Sequence, residues 1–524
     1  MGNTLGGSLG DGTWADHLGG PLRAPIEDVL GVHVPLPSRL VRSWSQNPAR
    51  TVLRASSGVA VGAGELEAWT RSVAVRLRQA GAAPGDRIGW VPTTDIPSVV
   101  VFLGAMRAGI VPVAVGTRST QAEIAHVLSD CRPVYVVSTS GAPAETARAA
   151  AGATAGRVPV LLAEDLAGGW SPAGIRGTGD RGTAALDAVS AEDPAVVVYT
   201  SGTTGRPKGA VLSHRALAAG TASLVLAWQI DETDRLLLCL PLFHVHGLVA
   251  GLLATLAAGG SVLLHDRFDA GAVLDVARRR EATLFYGVPT MYHRLEAHGG
   301  SVALGRLRLC VSGSAPLAPD LWSRLAAGGS GPMLLERYGM TETLLTVSNP
   351  YDGARRPGTV GTPLPGVALR LADPVADDGS GVLLVSGPTL FEGYFDRPAA
   401  TAEVMEDGWF TTGDIVARDE AGYIVVRGRA TEMIICGGHN VYPAEVEDAL
   451  AAHPGVAEVA VAGVPSDEWG EEVGAWVVAE GVSEAQLAAL AAASLAPHKR
   501  PRYYRFVGEL PRNAMGKVQR RALG

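Results

Sequence analysis

The chain is poor in several things, and each shortage closes a class of function. It has only four cysteines in 524 residues, Cys131, Cys239, Cys310 and Cys436, and no two of them form a CxxC pair. A disulfide framework and a structural zinc are therefore not expected, which fits a reducing cytoplasm. No uninterrupted apolar run reaches the ~18 residues of a membrane span. The nearest, residues 248–256, stops at Ala257-Ala-Gly-Gly260 and predicts a buried core helix. Positive charge is also short. Lys and Arg number 44 against 52 Asp and Glu, a net charge of −8, and no basic stripe is present. That argues against a nucleic-acid partner. The first residues carry neither the basic nor the apolar region of a signal peptide. The expectation is a cytoplasmic protein with no membrane and no nucleic-acid partner.

What is present reads as a folded protein of more than one domain. The composition is 47% hydrophobic and 18% charged, and 524 residues exceed what one core supports. Residues 1–35 are rich in Gly and Pro and predict an irregular arm. From residue 36, helix and strand signals alternate. Helical spacing over 66–80 is followed by a strand pattern over 86–91. An apolar helix over 97–108 precedes a strand over 110–115. Alternation of this kind predicts a mainly parallel sheet with helices on its faces. Residues 137–190 are dense in small residues and predict a variable surface region. Composition changes at Ala430-Thr-Glu432, where a boundary is placed. The expected class is α/β: a large domain over 36–429 and a small, mobile α+β lid over 430–524.

The densest chemical signal is Tyr199-Thr-Ser-Gly-Thr-Thr-Gly-Arg-Pro-Lys208-Gly. It follows a buried-strand pattern, 195–199, and precedes a helix opening near Ser213-His214. Hydroxyls, glycines and a lysine in a turn between strand and helix can cradle a polyphosphate. The loop is not a Walker A sequence, because Gly209 rather than Ser or Thr follows Lys208. It is not the dinucleotide GxGxxG either.

Other strand ends carry further chemistry. Pro241-Leu-Phe-His-Val-His-Gly247 follows the strand pattern 236–240, a place where open α/β sheets hold ligands. His244 and His246 could begin a metal site, but no third ligand lies nearby. Thr290 can cap a helix after the strand 282–287, placing Arg294 in its first turn. There a cation opposes the helix dipole and calls for a local anion. Ser312-Gly-Ser-Ala-Pro316 offers the Ser314 hydroxyl. Glu336-Arg-Tyr-Gly-Met-Thr-Glu342 offers the flat ring of Tyr338 and hard oxygens on Thr341 and Glu342, which suit Mg²⁺. Asp414 follows a tight turn, where its carboxylate can accept both ribose hydroxyls, and Arg429 supplies a donor. Lys517 lies on a Gly-containing turn near the C-terminus.

Five separated stretches, 199–209, 241–247, 336–343, 411–414 and 511–518, together resemble the adenylate-forming family of acyl-CoA synthetases, firefly-type luciferases and adenylation domains. Val288-Pro-Thr-Met-Tyr-His-Arg294, Glu336-Arg-Tyr-Gly-Met-Thr-Glu-Thr343 and Pro511-Arg-Asn-Ala-Met-Gly-Lys517 are similar to bacterial malonyl-CoA synthetases. The resemblance implies ATP, Mg²⁺ and CoA. It assigns the β- and γ-phosphates to Thr200, Ser201, Gly202, Thr203, Thr204, Gly205 and Lys208. It assigns adenine to Tyr338, with Thr341 beside it, and ribose to Asp414 and Arg429. It gives the metal to Glu342 with Thr204, and catalysis to Lys517 with those two. It gives the acid to His246, Arg294, Ser314 and Met340, with Arg294 and Ser314 on the distal carboxylate of a small dicarboxylate. It makes Glu432 the hinge and brings Gly437 and Gly438 in with CoA. The implied product is malonyl-CoA, with methylmalonyl-CoA close behind. A separate acyl carrier protein as acceptor, another small acid, and a non-catalytic nucleotide-binding relative are the alternatives. Thr431 and Val382 depart from the family's usual residues, beside the hinge and in a structural position.

Overall fold

In the computed structural model, residues 14–18, 24–154, 158–168, 186–200, 207–326, 333–372, 375–376, 378–436, 439–466, 470–512 and 518–523 are described. Among them the chain folds as α/β, with a large part of mixed, mainly parallel sheets and a smaller, β-rich C-terminal part.

Two large sheets make the frame. In the nine-stranded sheet, Leu334–Met340, Leu309–Ser312, Leu284–Gly287, Arg235–Leu238, Ser261–Leu264 and Thr51–Ala55 lie side by side and parallel. Short antiparallel strands close both edges. These strands are near-continuous apolar runs because helices cover both faces, as parallel sheets require. The seven-stranded sheet centres on Arg87–Val91, Val111–Ala114 and Pro194–Thr200. One apolar core runs through both sheets, from Trp44 and Trp69 to Leu344 and Phe410.

Helices sit where the sequence pattern places them: Ala63–Gln79 and Ile96–Arg107 pack against each other. Asp95 starts the second by accepting from Ser98 N at 2.8 Å, satisfying one orphan donor of the first turn. Gly104 is required at that contact. A Cβ there would lie 2.8 Å from the Val73 side chain and 2.9 Å from the Thr70 carbonyl.

The N-terminal arm is less irregular than its composition predicts. Helices Ala15–Leu18 and Ile26–Leu30 form in it. Trp14, Ile26, Leu30 and Val32 are buried against Ala219, and Trp14 Nε1 donates to the Val367 carbonyl at 3.1 Å. Burying four large apolar side chains outweighs the Gly and Pro content. The four cysteines are free and buried.

The C-terminal part is a five-stranded sheet built on Val456–Ser466 and Gly470–Ala479, with helices Pro443–Ala451 and Glu484–Ser494 over its own core. No helix among the described residues is long and apolar enough to cross a membrane.

Candidate active site

Four neighbouring parallel strands fix the site. Arg235–Leu238, Leu284–Gly287, Leu309–Ser312 and Leu334–Met340 run the same way, so their C-terminal ends share one edge of the sheet. The register aligns Gly287, Ser312 and Glu336 in one row. His246, Ser314 and Arg337 come from segments just beyond or at that row.

His246 opens a π-helix, His246–Leu253, which continues as an α-helix over Ala254–Ala257. The sequence predicts a buried helix there, and it is buried, but its first two turns are π. An all-apolar segment has no polar face to show whether the repeat closes at four residues or five, and π turns recur at functional sites. Burial pulls the His244 pKa down to about 4 and that of His246 well below its ordinary value, with Arg337 adding to the second. Both rings are neutral near pH 7. Both Nε2 atoms are buried without a partner.

Ser314 sits at φ 71°, a left-handed conformation that non-glycine residues adopt only under constraint. There its Oγ lies 3.3 Å from His246 Nδ1 and accepts from Arg337 Nη2 at 3.4 Å. Arg337 is the residue the sequence reading passed over. It is 5% exposed, no acidic partner lies within ion-pair distance among the described residues, and its Nε has no hydrogen-bond partner among them. Burial draws its pKa from the ordinary guanidinium value down to about 9, so it remains a cation at neutral pH. Gly313 makes room for it: a Cβ there would lie 2.3 Å from Arg337 Nε. The signal was an arginine at the end of a strand otherwise built for burial.

Arg294 is placed differently from the expectation. Pro289, not Thr290, begins the helix Pro289–Ala297, after Val288. Proline suits the first helical position because its missing N–H has no intrahelical partner to lose. Arg294 then falls in the last turn, on the exposed side opposite the buried Tyr292 and Leu295. It is exposed and stands outside the buried cluster.

A second cluster lies at the end of Leu334–Met340. Tyr338 OH donates to Asp414 Oδ2, and Arg429 Nε meets Asp414 Oδ1 at 2.6 Å. Asp414 and Arg429 are direct partners across antiparallel strands Trp409–Arg418 and Ile424–Arg429. Desolvation, with Asp414 alongside, holds the Tyr338 phenol neutral. Met340 and Thr341 are half-buried beside it. Glu342 is 4% exposed. Burial raises its pKa, opposed by a hydrogen bond from Tyr394 OH at 2.9 Å. Among the described residues no group of three or more His, Cys, Asp or Glu could hold a metal.

The phosphate-loop motif joins two strands instead of a strand and a helix. Pro194–Thr200 and Lys208–Ser213 pair antiparallel, Thr200 opposite Lys208, and the helix His214–Ala227 follows with Ser213 as its cap. The second arm, Lys-Gly-Ala-Val-Leu-Ser, buries Gly209, Ala210, Leu212 and Ser213, a strand the helix signal behind it had masked. Ser201, Gly202, Thr203, Thr204 and Gly205 lie outside the described residues, as do Gly437, Gly438 and Lys517. Glu432 lies on the single turn Ala430–Glu432 and meets Arg520 Nη1 at 2.8 Å, while Arg520 Nη2 meets Glu447 Oε1 at 2.8 Å.

A family model for AMP-binding enzymes matches residues 40–395, and one for the AMP-binding enzyme C-terminal domain matches residues 445–517. A feruloyl-CoA synthase of an Amycolatopsis species is 36% identical over 489 residues, covering 91% of this chain and 96% of the relative. A malonate–CoA ligase of Arabidopsis thaliana is 35% identical over 492 residues, covering 84% of this chain and 78% of the relative. ATP-bound MatB from Rhodopseudomonas palustris shares the fold with a TM-score of 0.83 at 36% identity, covering 93% of this chain and 98% of that one.

Proposed function

The chain belongs to the AMP-binding enzyme family, and from that premise we propose that the acid it activates is malonate or a close dicarboxylate. It is an ATP-dependent acid–CoA ligase that works through an acyl adenylate. Relatives of nearly equal identity serve ferulate and malonate, so the choice of acid has to come from the site.

One observation carries the choice: the buried, unpaired guanidinium of Arg337 against Ser314 and His246. A monocarboxylate spends its only charge on the reacting phosphate and leaves Arg337 uncompensated. A second carboxylate pairs with it bidentately, a geometry guanidinium favours. Leaving such a charge without its partner costs about 3–5 kcal/mol, or roughly 10²–10⁴-fold in kcat/KM. Arg294, exposed on the helix that follows the Leu284–Gly287 strand, adds a long-range attraction. A methyl branch at C2 changes pocket fit by only about 1–3 kcal/mol, so methylmalonate is a second substrate.

The reaction runs in two steps. A carboxylate oxygen attacks the α-phosphorus of ATP, and pyrophosphate leaves with the electron pair of the broken bond. The CoA thiolate then attacks the adenylate carbonyl, and AMP leaves. Charge grows on the phosphate oxygens, where fixed donors help most. Thr200, Ser201, Thr203, Thr204 and Lys208, with the close approach allowed by Gly202 and Gly205, hold the β- and γ-phosphates. Tyr338 stacks on adenine, flanked by Thr341. Asp414 and Arg429 hold ribose. Met340 borders the acid. Glu342 and Thr204 offer hard oxygens that fit Mg²⁺, whose charge, when bound, offsets that of the phosphates. Lys517 bridges the attacking carboxylate and the α-phosphate. Rotation of residues 430–524 about Glu432 then withdraws Lys517 and brings Gly437 and Gly438 to the CoA side.

The test is CoA-dependent turnover on malonate, methylmalonate, succinate, acetate and octanoate, with wild type, Arg294→Ala and Arg337→Met. Malonate should lead, fall about 10²–10⁴-fold in Arg337→Met, and fall less in Arg294→Ala. Acetate or octanoate in the lead, indifferent to Arg337, discards malonate and leaves the ligase chemistry standing. Adenylate without acyl-CoA makes a carrier protein the acceptor.

A further inference from the structure

Residues 391–397 touch both halves of the nucleotide site, although they lie far from both in sequence. Phe391 N donates to the Glu342 carbonyl at 2.8 Å. Glu392 N donates to the Val211 carbonyl at 2.8 Å, and Phe395 N to the Gly209 carbonyl at 2.7 Å. Gly393 and Tyr394 thereby pair with Val211 and Ala210 as an edge strand on the phosphate-loop hairpin. Arg397 then meets Asp130, which accepts from Tyr199 OH at 2.7 Å on the other arm of that hairpin. The strap is anchored to the metal-side carboxylate segment and to both arms of the hairpin.

Tyr394 occupies the middle of this strap. Its hydroxyl donates to Glu342 Oε1 at 2.9 Å, and the Lys208 ammonium lies 5.0 Å from its ring centroid. Phe391 packs edge-on against the ring at 5.0 Å, and Tyr394 N donates to Thr401 Oγ1 at 2.9 Å, so the ring is fixed. An acid and a base of opposite charge are thus each engaged by one side chain, and no Lys208–Glu342 ion pair forms among the described contacts. If they met, nucleotide and metal would both have to break a buried pair before binding, and breaking such pairs is costly.

We propose that Tyr394 is a positioning residue that keeps Lys208 and Glu342 apart and aimed, so that phosphate and metal find each one unpaired. This rests on the reading of Lys208 as a phosphate ligand and Glu342 as a metal ligand. The two contacts have separate consequences. The hydroxyl orients the carboxylate through a charge-assisted hydrogen bond, whose loss acts on the metal side. The ring holds the ammonium face-on by cation–π attraction, and its removal lets Lys208 reach Glu342.

The experiment titrates ATP into wild type, Tyr394→Phe, Tyr394→Ala and Tyr394→Ala/Glu342→Gln by calorimetry without metal. In parallel, malonate-dependent ATP–pyrophosphate exchange is followed across a Mg²⁺ series. Tyr394→Phe should keep metal-free ATP affinity within about twofold and raise the Mg²⁺ needed for half-maximal exchange about tenfold or more. Tyr394→Ala should lose about tenfold in metal-free ATP affinity, and adding Glu342→Gln should restore it, because no acid is left to capture Lys208. A Tyr394→Phe with an unchanged Mg²⁺ requirement overturns the proposal, as does a double variant no better than Tyr394→Ala. Should Tyr394→Ala fail to fold, Tyr394→Phe decides alone. A wild type that binds no ATP sinks the nucleotide reading of the site itself, a different result from either of these.

Discussion

Replacing Arg337 with methionine should make the protein more stable and a worse malonate ligase at the same time. The guanidinium is 5% exposed, its Nε has no partner among the described residues, and burial takes its pKa from the ordinary guanidinium value down to about 9. At about 1.4 kcal/mol per pH unit, the whole gap stands for about 5 kcal/mol held against the folded state, an upper bound. Apolar replacement of buried charge typically gains about 1–4 kcal/mol once the surroundings relax. Arg337 is a base whose folded-state pKa is depressed. Its cost is therefore full below about pH 9 and fades as pH rises toward the ordinary guanidinium range, where the unfolded chain also loses the proton. Urea denaturation near neutral pH should show Arg337→Met more stable by about 1–3 kcal/mol. Saturating malonate should close much of that gap, because ligand binding stabilises only the protein that retains the guanidinium. A variant destabilised by more than about 1 kcal/mol would refute the reasoning, since it would make Arg337 a structural tie.

Three further outcomes follow from the same region. Burial pushes the Glu336 carboxyl from 4.5 up to about 8, so ionising it costs the fold stability increasingly as pH climbs between those values. Glu336→Gln should match wild type near about pH 4.5 and exceed it by about 1–3 kcal/mol above about pH 8 in urea melts; parallel curves would exclude this. Gly313→Ala places a Cβ 2.3 Å from Arg337 Nε and 2.5 Å from Cζ, so the guanidinium must leave Ser314. Malonate KM should rise about tenfold or more with ATP KM nearly constant, and equal rises in both would count against the contact. Asp414→Asn removes the charge that pairs with Arg429 at 2.6 Å, and ATP–pyrophosphate exchange should show ATP KM up about 10–100-fold; an unchanged ATP KM would remove Asp414 from the ribose site.

The cluster around Asp414 is largely legible in the sequence and the cluster around Arg337 is half hidden, for physical reasons. Tyr338, Glu342, Asp414 and Arg429 sit in motifs whose glycines and turns are local, and the fold brings the four to one place through short strand ends. Arg337 is hidden in the sequence because an arginine on a strand looks solvated until its burial is known. Its row-mate Gly313 is the clue, since a glycine beside a strand end leaves space for a large neighbour. Tyr394 was invisible because its partners lie 52 and 186 residues away and meet it only through strand pairing. Arg294 was misplaced by one local detail, the helix starting at Pro289.

Both large sheets carry residues of the candidate site. The hairpin that presents Lys208 belongs to the seven-stranded sheet, whereas His246, Ser314 and Arg337 stand at the edge of the nine-stranded one. Arg337 and Tyr338, however, are neighbours on one strand of the nine-stranded sheet, so the two clusters hang from the same beam. A substitution that shifts the backbone at that strand end moves both together, the ties to Ser314 on one side and to Asp414 on the other.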